Sequence, residues 1–379
     1  MSEWKKVKLK DCCHSISDGD HLPPPKSNSG VPFVTIANID ATNHIDFGNT
    51  MFVPLEYYNN LNDIRKAKCN DILYSVVGSF GKPVLIKENI PFAFQRHIAI
   101  LRPNNEIADS RFLYYVMLSR DFYMQADTVA IGAAQRTISL TALRNMEVEL
   151  PSMEIQHRIA NILSRYDSLI ENYQKQIKLL EEAAQRLYKE WFVDLRFPGH
   201  ENTKIVDGVP EGWEKKSITD VLEIKYGKDH KLLKEGTIPV YGTGGIMRYV
   251  EKSLFTGESV LIPRKGSLNN IMLVGGTFWT IDTMFYSIPK ENNVAKIVYF
   301  YLKGVDMYSF NIGAAVPSMT VNILSGMKLL VPNEDVKNKF ETIASKYFIR
   351  MHSLQSQLRL LTEARDRLLP KLMSGEIEI

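Results

Sequence analysis

The sequence predicts an α+β fold in which two tandem mixed α/β domains are separated by two long antiparallel coiled-coil helices, with an internal pseudo-two-fold repeat. Three observations support this prediction: a long internal repeat, a heptad-like apolar pattern in the last part of each copy, and short strand patterns in the first part. The chain of 379 residues is long enough to bury two hydrophobic cores.

The internal repeat is strictest in the last part of each copy. Ile131-Gly132-Ala133-Ala134 recurs as Ile312-Gly313-Ala314-Ala315, and the offset of 181 residues then holds to the C-terminus. The same offset relates Pro151 to Pro332, Tyr166 to Tyr347, Gln174 to Gln355, Glu182 to Glu363 and Arg186 to Arg367. Upstream the offset drifts, from 188 between Gly78 and Gly266 to 209 between Trp4 and Trp213. The copies therefore share a scaffold and differ in the loops that it displays.

The first part of each copy has the pattern of a mixed α/β domain. Short runs of β-branched and aromatic residues alternate with turn residues, which is typical of strands joined by tight loops. Strands are predicted at 31–39, 71–77, 82–86 and 97–101, and in the second copy at 237–241, 259–262, 270–274 and 283–288. Short helices are predicted in equivalent places, at 111–120 and 295–303.

The last part of each copy predicts one long helix with a narrow apolar seam. In the first copy the seam residues are Ile155, Ile159, Ile162, Tyr166, Leu169, Tyr173, Ile177, Leu180, Ala184, Leu187 and Trp191. The second copy repeats the spacing from Val336 to Leu372, but Arg350 and Arg365 interrupt it. These arginines either lay their aliphatic stems along the seam, with Met351 and Ala364 filling the gaps, or meet acidic groups such as Glu171 or Glu182.

Chain connectivity predicts the direction of the helix pair. The first helix, ending near Arg196, leads directly into the second globular domain, and that domain ends where the second helix starts. The two helices therefore pair most simply antiparallel, as a rod with a domain at each end. The predicted boundaries are 1–150 for the first domain, 151–196 for the central spacer helix, 197–332 for the linker and second domain, and 333–379 for the C-terminal spacer helix.

Composition excludes several classes of protein. The N-terminus is polar and lysine-rich, and no run of about 18 apolar residues occurs, so we expect no membrane segment and a cytoplasmic location. Cys12, Cys13 and Cys69 form neither a disulfide framework nor a zinc set. The net charge is only +3, although basic residues cluster in the variable loops. Those clusters favour an anionic partner modestly, because solvated lysines on strand edges explain each one equally well.

Several phrases identify a family resemblance. They are Leu180-Glu-Glu-Ala-Ala-Gln-Arg-Leu-Tyr-Lys-Glu-Trp-Phe-Val-Asp-Leu-Arg-Phe-Pro-Gly199, Arg367-Leu-Leu-Pro-Lys-Leu-Met-Ser-Gly-Glu376, Gly208-Val-Pro-Glu-Gly-Trp213, Asn70-Asp-Ile-Leu73 and Pro151-Ser-Met-Glu-Ile-Gln156. With these phrases in this order and with its duplication, the chain resembles, over its whole length, the DNA-specificity (S) subunit of type I restriction-modification systems.

The resemblance implies two target-recognition domains, each reading one half of a bipartite site on double-stranded DNA. The helix pair would act as a ruler and as a docking surface for two methyltransferase (M) subunits, which restriction (R) subunits would join. Two domains on a rod can reach major-groove faces about 34–36 Å apart. Because the domains differ in sequence, we expect an asymmetric target. The resemblance also implies a non-catalytic chain without a cofactor of its own, with S-adenosylmethionine, ATP and Mg bound by the partner subunits.

Polar loop residues are the candidates for DNA contact, because Arg and Lys pair with guanine and Asn and Gln with adenine in the major groove. In the first domain they are Lys26, Ser79, Phe80, Lys82, Gln95, Arg96, His97, Gln135 and Arg136. In the second domain they are Lys228, His230, Lys231, Thr243, Arg264, Lys265, Ser267, Asn269 and Asn270. For each of them the alternative is an ordinary surface residue. The glycines of 78–81 and 242–245 either let backbone N–H groups approach phosphates or form tight turns.

Catalytic signatures are missing from the sequence. No Asn-Pro-Pro-Tyr type methylation motif occurs, and Gly78-Ser-Phe-Gly-Lys82 lacks the spacing of a phosphate-binding loop. Asp18-Gly-Asp-His21 fits a polar turn better than a metal or acid–base cluster. Two rival interpretations remain: a coiled-coil protein-interaction adaptor without DNA readout, and a nuclease or methylase with an unrecognised site.

Overall fold

The computed structural model describes residues 4–21, 23–40, 42–133, 135–313, 316–377 and 379. The chain divides into two compact units, one formed by Met1–Tyr173 with Gln357–Ile379 and the other by Gln174–Ser356. Ala134, Ala314 and Ala315 of the repeated tetrapeptide lie outside the described residues.

The first unit is built on small, mostly antiparallel sheets. Its strands are β1 (Lys5–Lys8), β2 (Cys13–Asp18), β3 (Val31–Val34), β4 (Met51–Val53), β5 (Ile72–Ser75), β6 (Pro83–Leu85), β7 (Ala93–Phe94), β8 (Ile98–Pro103) and β9 (Glu147–Leu150). One sheet has the order β2-β8-β5-β6 and is antiparallel throughout. In a second sheet of order β4-β3-β7, β3 is antiparallel to β4 and parallel to β7. A ribbon pairs β1 with β9.

Short helices and the start of one long helix pack with these sheets. They are α1 (Leu55–Asn60), α2 (Ser110–Leu118), α3 (Arg120–Val129), α4 (Leu140–Asn145) and α5 (Met153–Tyr188). Helix α2 begins where the Asp109 carboxylate accepts hydrogen bonds from two backbone N–H groups of its first turn. Its Phe112 and Leu113 are fully buried in one core with Ile72 and Leu101 of the four-stranded sheet. Burial of this apolar face holds the helix on the sheet.

The second unit has the same kinds of sheet. Its strands are β10 (Ile205–Val206), β11 (Val209–Pro210), β12 (Glu214–Ser217), β13 (Leu222–Tyr226), β14 (Glu235–Gly242), β15 (Gly245–Val250), β16 (Phe255–Thr256), β17 (Ser259–Pro263), β18 (Met272–Val274), β19 (Thr277–Thr280), β20 (Met284–Pro289) and β21 (Lys328–Val331). Its helices are α6 (Ile218–Val221), α7 (Ala295–Lys303), α8 (Val321–Gly326) and α9 (Glu334–Met373), the last of which continues into the first unit.

Three sheets of the first unit recur in the second with matching strand orders, and the two-stranded sheet of β10 and β11 is found in the second unit alone among the described residues. The sheet β13-β20-β17-β18 repeats β2-β8-β5-β6, and the ribbon of β12 and β21 repeats that of β1 and β9. The mixed sheet is repeated as β15-β14-β19, again with one antiparallel and one parallel pairing, and β16 is added at its edge. The predicted pair of tandem mixed α/β domains with an internal repeat is therefore confirmed.

The long helices α5 and α9 pair antiparallel within each unit. In the first unit, Arg365 donates a hydrogen bond to Asp167 over 2.9 Å, and Leu372 lies in one core with Ile159. In the second unit, the rings of Tyr188 and Phe340 lie 6.5 Å apart. In both units residues later in α5 meet residues earlier in α9, which is the predicted antiparallel direction.

The seam differs in detail from the prediction. Leu169 is exposed and Ile170 is buried in its place, while Met351 is buried as expected and Ala364 is exposed. The physical reason is that a straight α-helix has 3.6 residues per turn, so a strict seven-residue pattern drifts around its surface. The periodicity thus predicts the helix well and individual seam positions less well.

The two seam arginines are held by polar groups across the pair. Arg365 meets Asp167, and Arg350 donates to the side-chain oxygen of Gln176 over 3.3 Å. The acidic alternative is therefore right in kind for Arg365, although neither Glu171 nor Glu182 is its partner. Glu171 is bound instead by His44, over 3.0 Å, and by Lys87.

Two predicted boundaries shift for local reasons. The strand predicted at 31–39 ends at Val34, because Thr35 and Asn38 form a reciprocal cap on the 3₁₀ turn Ile36–Asn38. The central helix, predicted to end near Arg196, ends three residues earlier in a π-helical turn, Lys189–Val193. That turn places Trp191 and Phe192 in the core of the second unit, where the Phe192 ring lies 4.8 Å from that of Phe340.

Candidate nucleic-acid interface

Backbone hydrogen bonds join four loop segments at one place in the first unit. The N–H of Arg96 donates to the carbonyl of Asp20 over 3.1 Å, and the N–H of Val76 donates to the carbonyl of His97 over 2.9 Å. The N–H of Gly78 donates to the carbonyl of Arg136 over 3.0 Å. We call the joined segments loop cluster 1; they are residues 19–21, 76–82, 95–97 and the described residues of 131–137.

The second unit joins its equivalent segments with three equivalent bonds, although none among the described residues corresponds to the bond from Arg96 to Asp20. The N–H of Arg264 donates to the carbonyl of Thr283 over 2.8 Å, and the N–H of Gly266 donates to the carbonyl of Pro317 over 2.9 Å. The N–H of Lys228 donates to the carbonyl of Thr280 over 2.9 Å, as that of Asp20 does to Phe94 over 3.1 Å. Loop cluster 2 comprises residues 227–231, 264–270, 281–283 and the described residues of 312–318. A common backbone frame therefore displays two sets of side chains.

Two glycines allow this frame to close. A Cβ atom on Gly19 would lie 2.1 Å from the carbonyl oxygen of Phe94, and one on Gly227 would lie 2.0 Å from that of Ile281. These distances are far below any van der Waals contact, so only glycine fits where the strand β2 or β13 ends. The residues that follow these glycines are Asp20 and Lys228.

Most of the predicted residues of the first domain lie in loop cluster 1. They are Ser79, Phe80, Lys82, Gln95, Arg96, His97, Gln135 and Arg136, of which Ser79, Arg96 and Gln135 are exposed. Lys26 lies elsewhere, next to Ser27, whose N–H bonds to the carbonyl of Phe52 in β4. DNA contact by each of these residues stays a prediction.

Arg136 is engaged within the chain. Its guanidinium forms an ion pair with Asp127 and lies 5.3 Å from the centre of the Phe80 ring. Phe80 in turn stacks on Tyr123 of α3, with ring centres 5.9 Å apart. These contacts hold the turn 76–82 against α3, so Arg136 and Phe80 shape the loop cluster.

Loop cluster 2 contains the predicted residues of the second domain except Thr243, which is joined to it. They are Lys228, His230, Lys231, Arg264, Lys265, Ser267, Asn269 and Asn270. The Asn270 amide donates to the carbonyl of Thr243 over 2.7 Å. Asn269 is used inside the chain, since its side chain accepts from the N–H of Met307 over 2.8 Å and donates to Asp306 over 3.2 Å. The side chains of Lys228, Lys231, Lys265 and Ser267 are exposed to solvent.

Arg264 binds the segment 281–283 of loop cluster 2. Its Nη1 donates to the carbonyl of Asp282 over 3.1 Å, and its guanidinium carbon lies 5.4 Å from the centre of the half-exposed Tyr226 ring. The guanidinium thus fixes the segment 281–283 while staying partly open to solvent.

The equivalent bonds reveal a reversal of charge that sequence reasoning missed. Asp20 and Arg96 of loop cluster 1 occupy the positions of Lys228 and Asp282 in loop cluster 2. An acid and a base have changed places on the same frame. Among the described residues, no ion pair involves Arg96, Lys228 or Asp282.

The acidic side of loop cluster 1 is held by neighbours. Asp20 accepts a short hydrogen bond from the Tyr57 hydroxyl, and Arg65 lies 3.5 Å from its carboxylate. Burial and this bond to Asp20 raise the pKa of Tyr57. Asp18 bonds His21 over 2.8 Å. The segment Asp18 to His21 is thus a charged turn paired with Arg65, and among the described residues no group of three or more His, Cys, Asp or Glu is arranged to hold a metal ion.

Comparison with known proteins decides the family. The family model described as type I restriction modification DNA specificity domain matches residues 1–182 and 210–354. The chain belongs to this DNA specificity family. The two matched segments correspond to the two copies of the repeat, so the predicted resemblance is confirmed. Specificity subunits of type I restriction-modification systems work with other subunits and with DNA, and membership is consistent with a non-catalytic role.

Curated relatives carry the same description. The chain is 26% identical over 309 residues to the type I restriction enzyme MjaIX specificity subunit of Methanocaldococcus jannaschii, covering 71% of this chain and 69% of that protein. It is 22% identical over 477 aligned residues to the type I restriction enzyme HindI specificity subunit of Haemophilus influenzae, covering 100% of both.

A solved structure shares the fold of this specificity-family chain. It is the crystal structure of a type I restriction-modification system S subunit from M. genitalium, with a TM-score of 0.67 and 20% sequence identity over 98% of this chain and 96% of that one. In the described part of the chain, no helix is both long enough and apolar enough to cross a membrane.

Proposed function

We propose that this chain reads an asymmetric bipartite site on double-stranded DNA, with one half-site for each specificity domain. It holds two methyltransferase (M) subunits at that site, and restriction (R) subunits join the complex. S-adenosylmethionine is bound by the M subunits, ATP and Mg²⁺ are bound by partner subunits, and this chain has no catalytic group or cofactor of its own. Because the ligand is genomic DNA, the complex works in the cytoplasm.

The reversal of charge between the loop clusters carries the proposal of an asymmetric site. A lysine donates to the guanine edge in the major groove, whereas an aspartate accepts from the amino group of cytosine. Lys228 and Asp282 stand where Asp20 and Arg96 stand in the other copy. Arg96, Lys228 and Asp282 are exposed, whereas the Asp20 carboxylate is held by Tyr57 and Arg65. Two surfaces of opposite pattern on one frame prefer different base pairs, so the half-sites differ.

The internal repeat supports two M subunits. A partner that recognises the shared scaffold of one copy finds the same scaffold in the other, because the strand orders and the helix that follows them are repeated. The variable loops are then free to differ without changing how the partners are held.

A methyl-transfer assay separates this proposal from its rivals. Labelled S-adenosylmethionine and DNA are incubated with the chain alone, with its M partner alone, and with both. We expect sequence-selective methylation only with both. Methylation by the chain alone would identify an enzyme, and equal, unselective methylation by M with or without the chain would favour a protein-interaction adaptor.

Sequencing of the methylated DNA then tests the charge reversal. The double variant Lys228→Asp with Asp282→Arg gives loop cluster 2 the pattern of loop cluster 1. We expect the methylated sequence to change in one half-site and stay constant in the other. The matched control is Lys204→Asp, at an exposed lysine in the segment before β10. An unchanged methylated sequence in an active variant would remove this pair from base readout.

Competition binding tests the turn that contains Arg264. The assembled complex is titrated with specific and random duplexes at matched salt, because phosphate contacts make affinity depend on salt. Arg264→Ala is expected to weaken binding, since it releases the segment 281–283 and removes a cation. No loss on either duplex would exclude this turn from the interface.

A further inference from the structure

Among the described residues, two exposed side chains recur in both loop clusters: the serines Ser79 and Ser267, and the isoleucines Ile131 and Ile312. Ile131 is 71% exposed and Ile312 is 63% exposed, and each begins the repeated tetrapeptide. An exposed isoleucine has no role in a hydrophobic core, and most other exposed positions of the two loop clusters differ. The repetition of this residue therefore indicates a task that both domains share.

The backbone around each isoleucine is built to present it. Ile131 and Thr137 exchange two backbone hydrogen bonds of 3.0 and 2.8 Å, and the N–H of Ile312 donates to the carbonyl of Ser318 over 3.3 Å. Gly132 has φ +110°, and a Cβ atom there would lie 2.6 Å from the carbonyl oxygen of Gln135. A Cβ atom on Gly313 would lie 1.9 Å from the carbonyl oxygen of Val316. At the position after each isoleucine, therefore, only glycine fits.

Both turns are fastened to the segments that carry the candidate DNA contacts. The bond from Gly78 to Arg136 joins the first turn to the segment 76–82, and the bond from Gly266 to Pro317 joins the second to the segment 264–270. Lys265 also pairs with Ser318 as a β-bridge. Each isoleucine thus stands in a loop cluster, beside cationic and polar groups.

We propose that Ile131 and Ile312 make a sequence-independent apolar contact with duplex DNA, one in each half-site. This proposal rests on the proposed function. Identical side chains in domains that read different sequences cannot supply the difference between the half-sites, so they contact what both half-sites have in common. Apolar side chains set against the sugars and base steps of a groove are a known mode of sequence-independent binding.

The surroundings favour DNA over a protein partner for these residues. The offset of 181 relates Asp127 to Tyr308 and Gln135 to Val316, so the first isoleucine has polar neighbours where the second has apolar ones. A protein docking on both copies would need the apolar surroundings as well, because stable protein interfaces bury many residues.

Binding measurements on the assembled complex test the proposal. Ile131→Ala, Ile312→Ala and the double variant are compared with Ile205→Ala, a control at an exposed isoleucine of β10. The probes are a duplex with the methylated site found by sequencing and a duplex of random sequence. We expect each single variant to weaken binding about three- to tenfold, by the same factor on both probes, with no change in the methylated sequence.

The other outcomes would overturn the proposal. A changed methylated sequence would make the isoleucines base readers, and loss of M subunits from the complex, seen by mass photometry, would make them a protein interface. Unchanged affinity of the double variant on both probes would leave them as surface residues. Thermal melting of each variant checks folding. If the parent complex shows no selective DNA binding, the proposed function fails. If the parent complex binds DNA selectively and the isoleucine variants bind both probes with unchanged affinity, this inference alone fails.

Discussion

Replacing Lys296 by methionine tests how helix α7 is fastened to α9 in the second unit. Lys296 is buried, with its side chain 6% exposed, and its ammonium group contacts Glu258 over 2.5 Å and Glu341 over 2.7 Å. Burial alone would lower the pKa of this lysine, but the hydrogen bonds to the two carboxylates outweigh it and raise the pKa. The lysine is therefore charged in the folded protein and pairs two acids from different elements.

The expected cost follows from the exposure of the two acids. Removing one partner of a fully buried ion pair costs about 3–5 kcal/mol, because a charge is left in the interior. The Glu258 side chain is 39% exposed and regains water, whereas that of Glu341 is 21% exposed and has one oxygen buried without a partner in the described part of the chain. We therefore expect Lys296→Met to lower the free energy of unfolding by about 2–3 kcal/mol.

Scanning calorimetry at neutral pH measures the effect. A loss of this size lowers the Tm of a domain of this class by about 4–12 °C, and Lys346→Met, at an exposed lysine, is the control. Adding Glu341→Leu to Lys296→Met removes the stranded acid and should recover most of the loss. Since the folded pKa lies above the ordinary 10.5, the stabilisation is complete below that pH and is lost as pH rises through the folded pKa. A Tm within about one degree of the parent would refute the reasoning.

Two further predictions concern the frame of the first unit. Gly19→Ala should lower the free energy of unfolding by about 1–3 kcal/mol, because the added Cβ would overlap the carbonyl oxygen of Phe94. The control Gly244→Ala, with nothing near its added Cβ, should be nearly neutral, and equal unfolding curves for the two variants would contradict the prediction. The hydrogen bond between His44 and Glu171 raises the pKa of His44 and, outweighing burial and aided by Lys87, lowers that of Glu171 to about 2. The stabilisation that Glu171→Gln removes is thus greatest between pH 4.5 and 6.5, and it falls as pH drops through about 2 or rises through the folded pKa of His44. Measurement of Tm against pH for the parent and the variant tests this. A Tm difference between them that does not change with pH would count against it.

The helices and the duplication could be predicted because apolar periodicity and internal sequence identity are visible in the sequence alone. The spacing of apolar residues from Ile155 onward indicates a long helix without knowledge of its partner, and the constant offset of 181 residues relates the copies directly. Helix α7 was predicted with its observed bounds, Ala295–Lys303. The strand at Val31 was predicted too long, because the reciprocal cap of Thr35 and Asn38 is a feature of side-chain geometry.

The candidate site was predicted in composition more than in arrangement. Polar residues in loops identified Arg96 and Lys228, but the pattern could not show that Arg136 is bound to Asp127 or that Asn269 is bound to Asp306. Those partners lie in other segments of the chain. The sequence therefore does not distinguish a side chain that binds within the protein from one that is free to bind DNA. The hydrogen-bonded contacts had to be seen before free and engaged residues could be separated.

By itself the sequence determined that this protein is a duplicated pair of mixed α/β domains joined to two long helices, since periodicity and internal identity are properties of the chain. Only the tertiary structure decided which loop residues are equivalent. Asp20 and Lys228 are 208 residues apart while Arg96 and Asp282 are 186 apart, so no single offset aligns them. Insertions change spacing along the chain but leave the hydrogen bonds of the frame in place, and for that reason the reversed charges become visible only where those bonds bring the loops together.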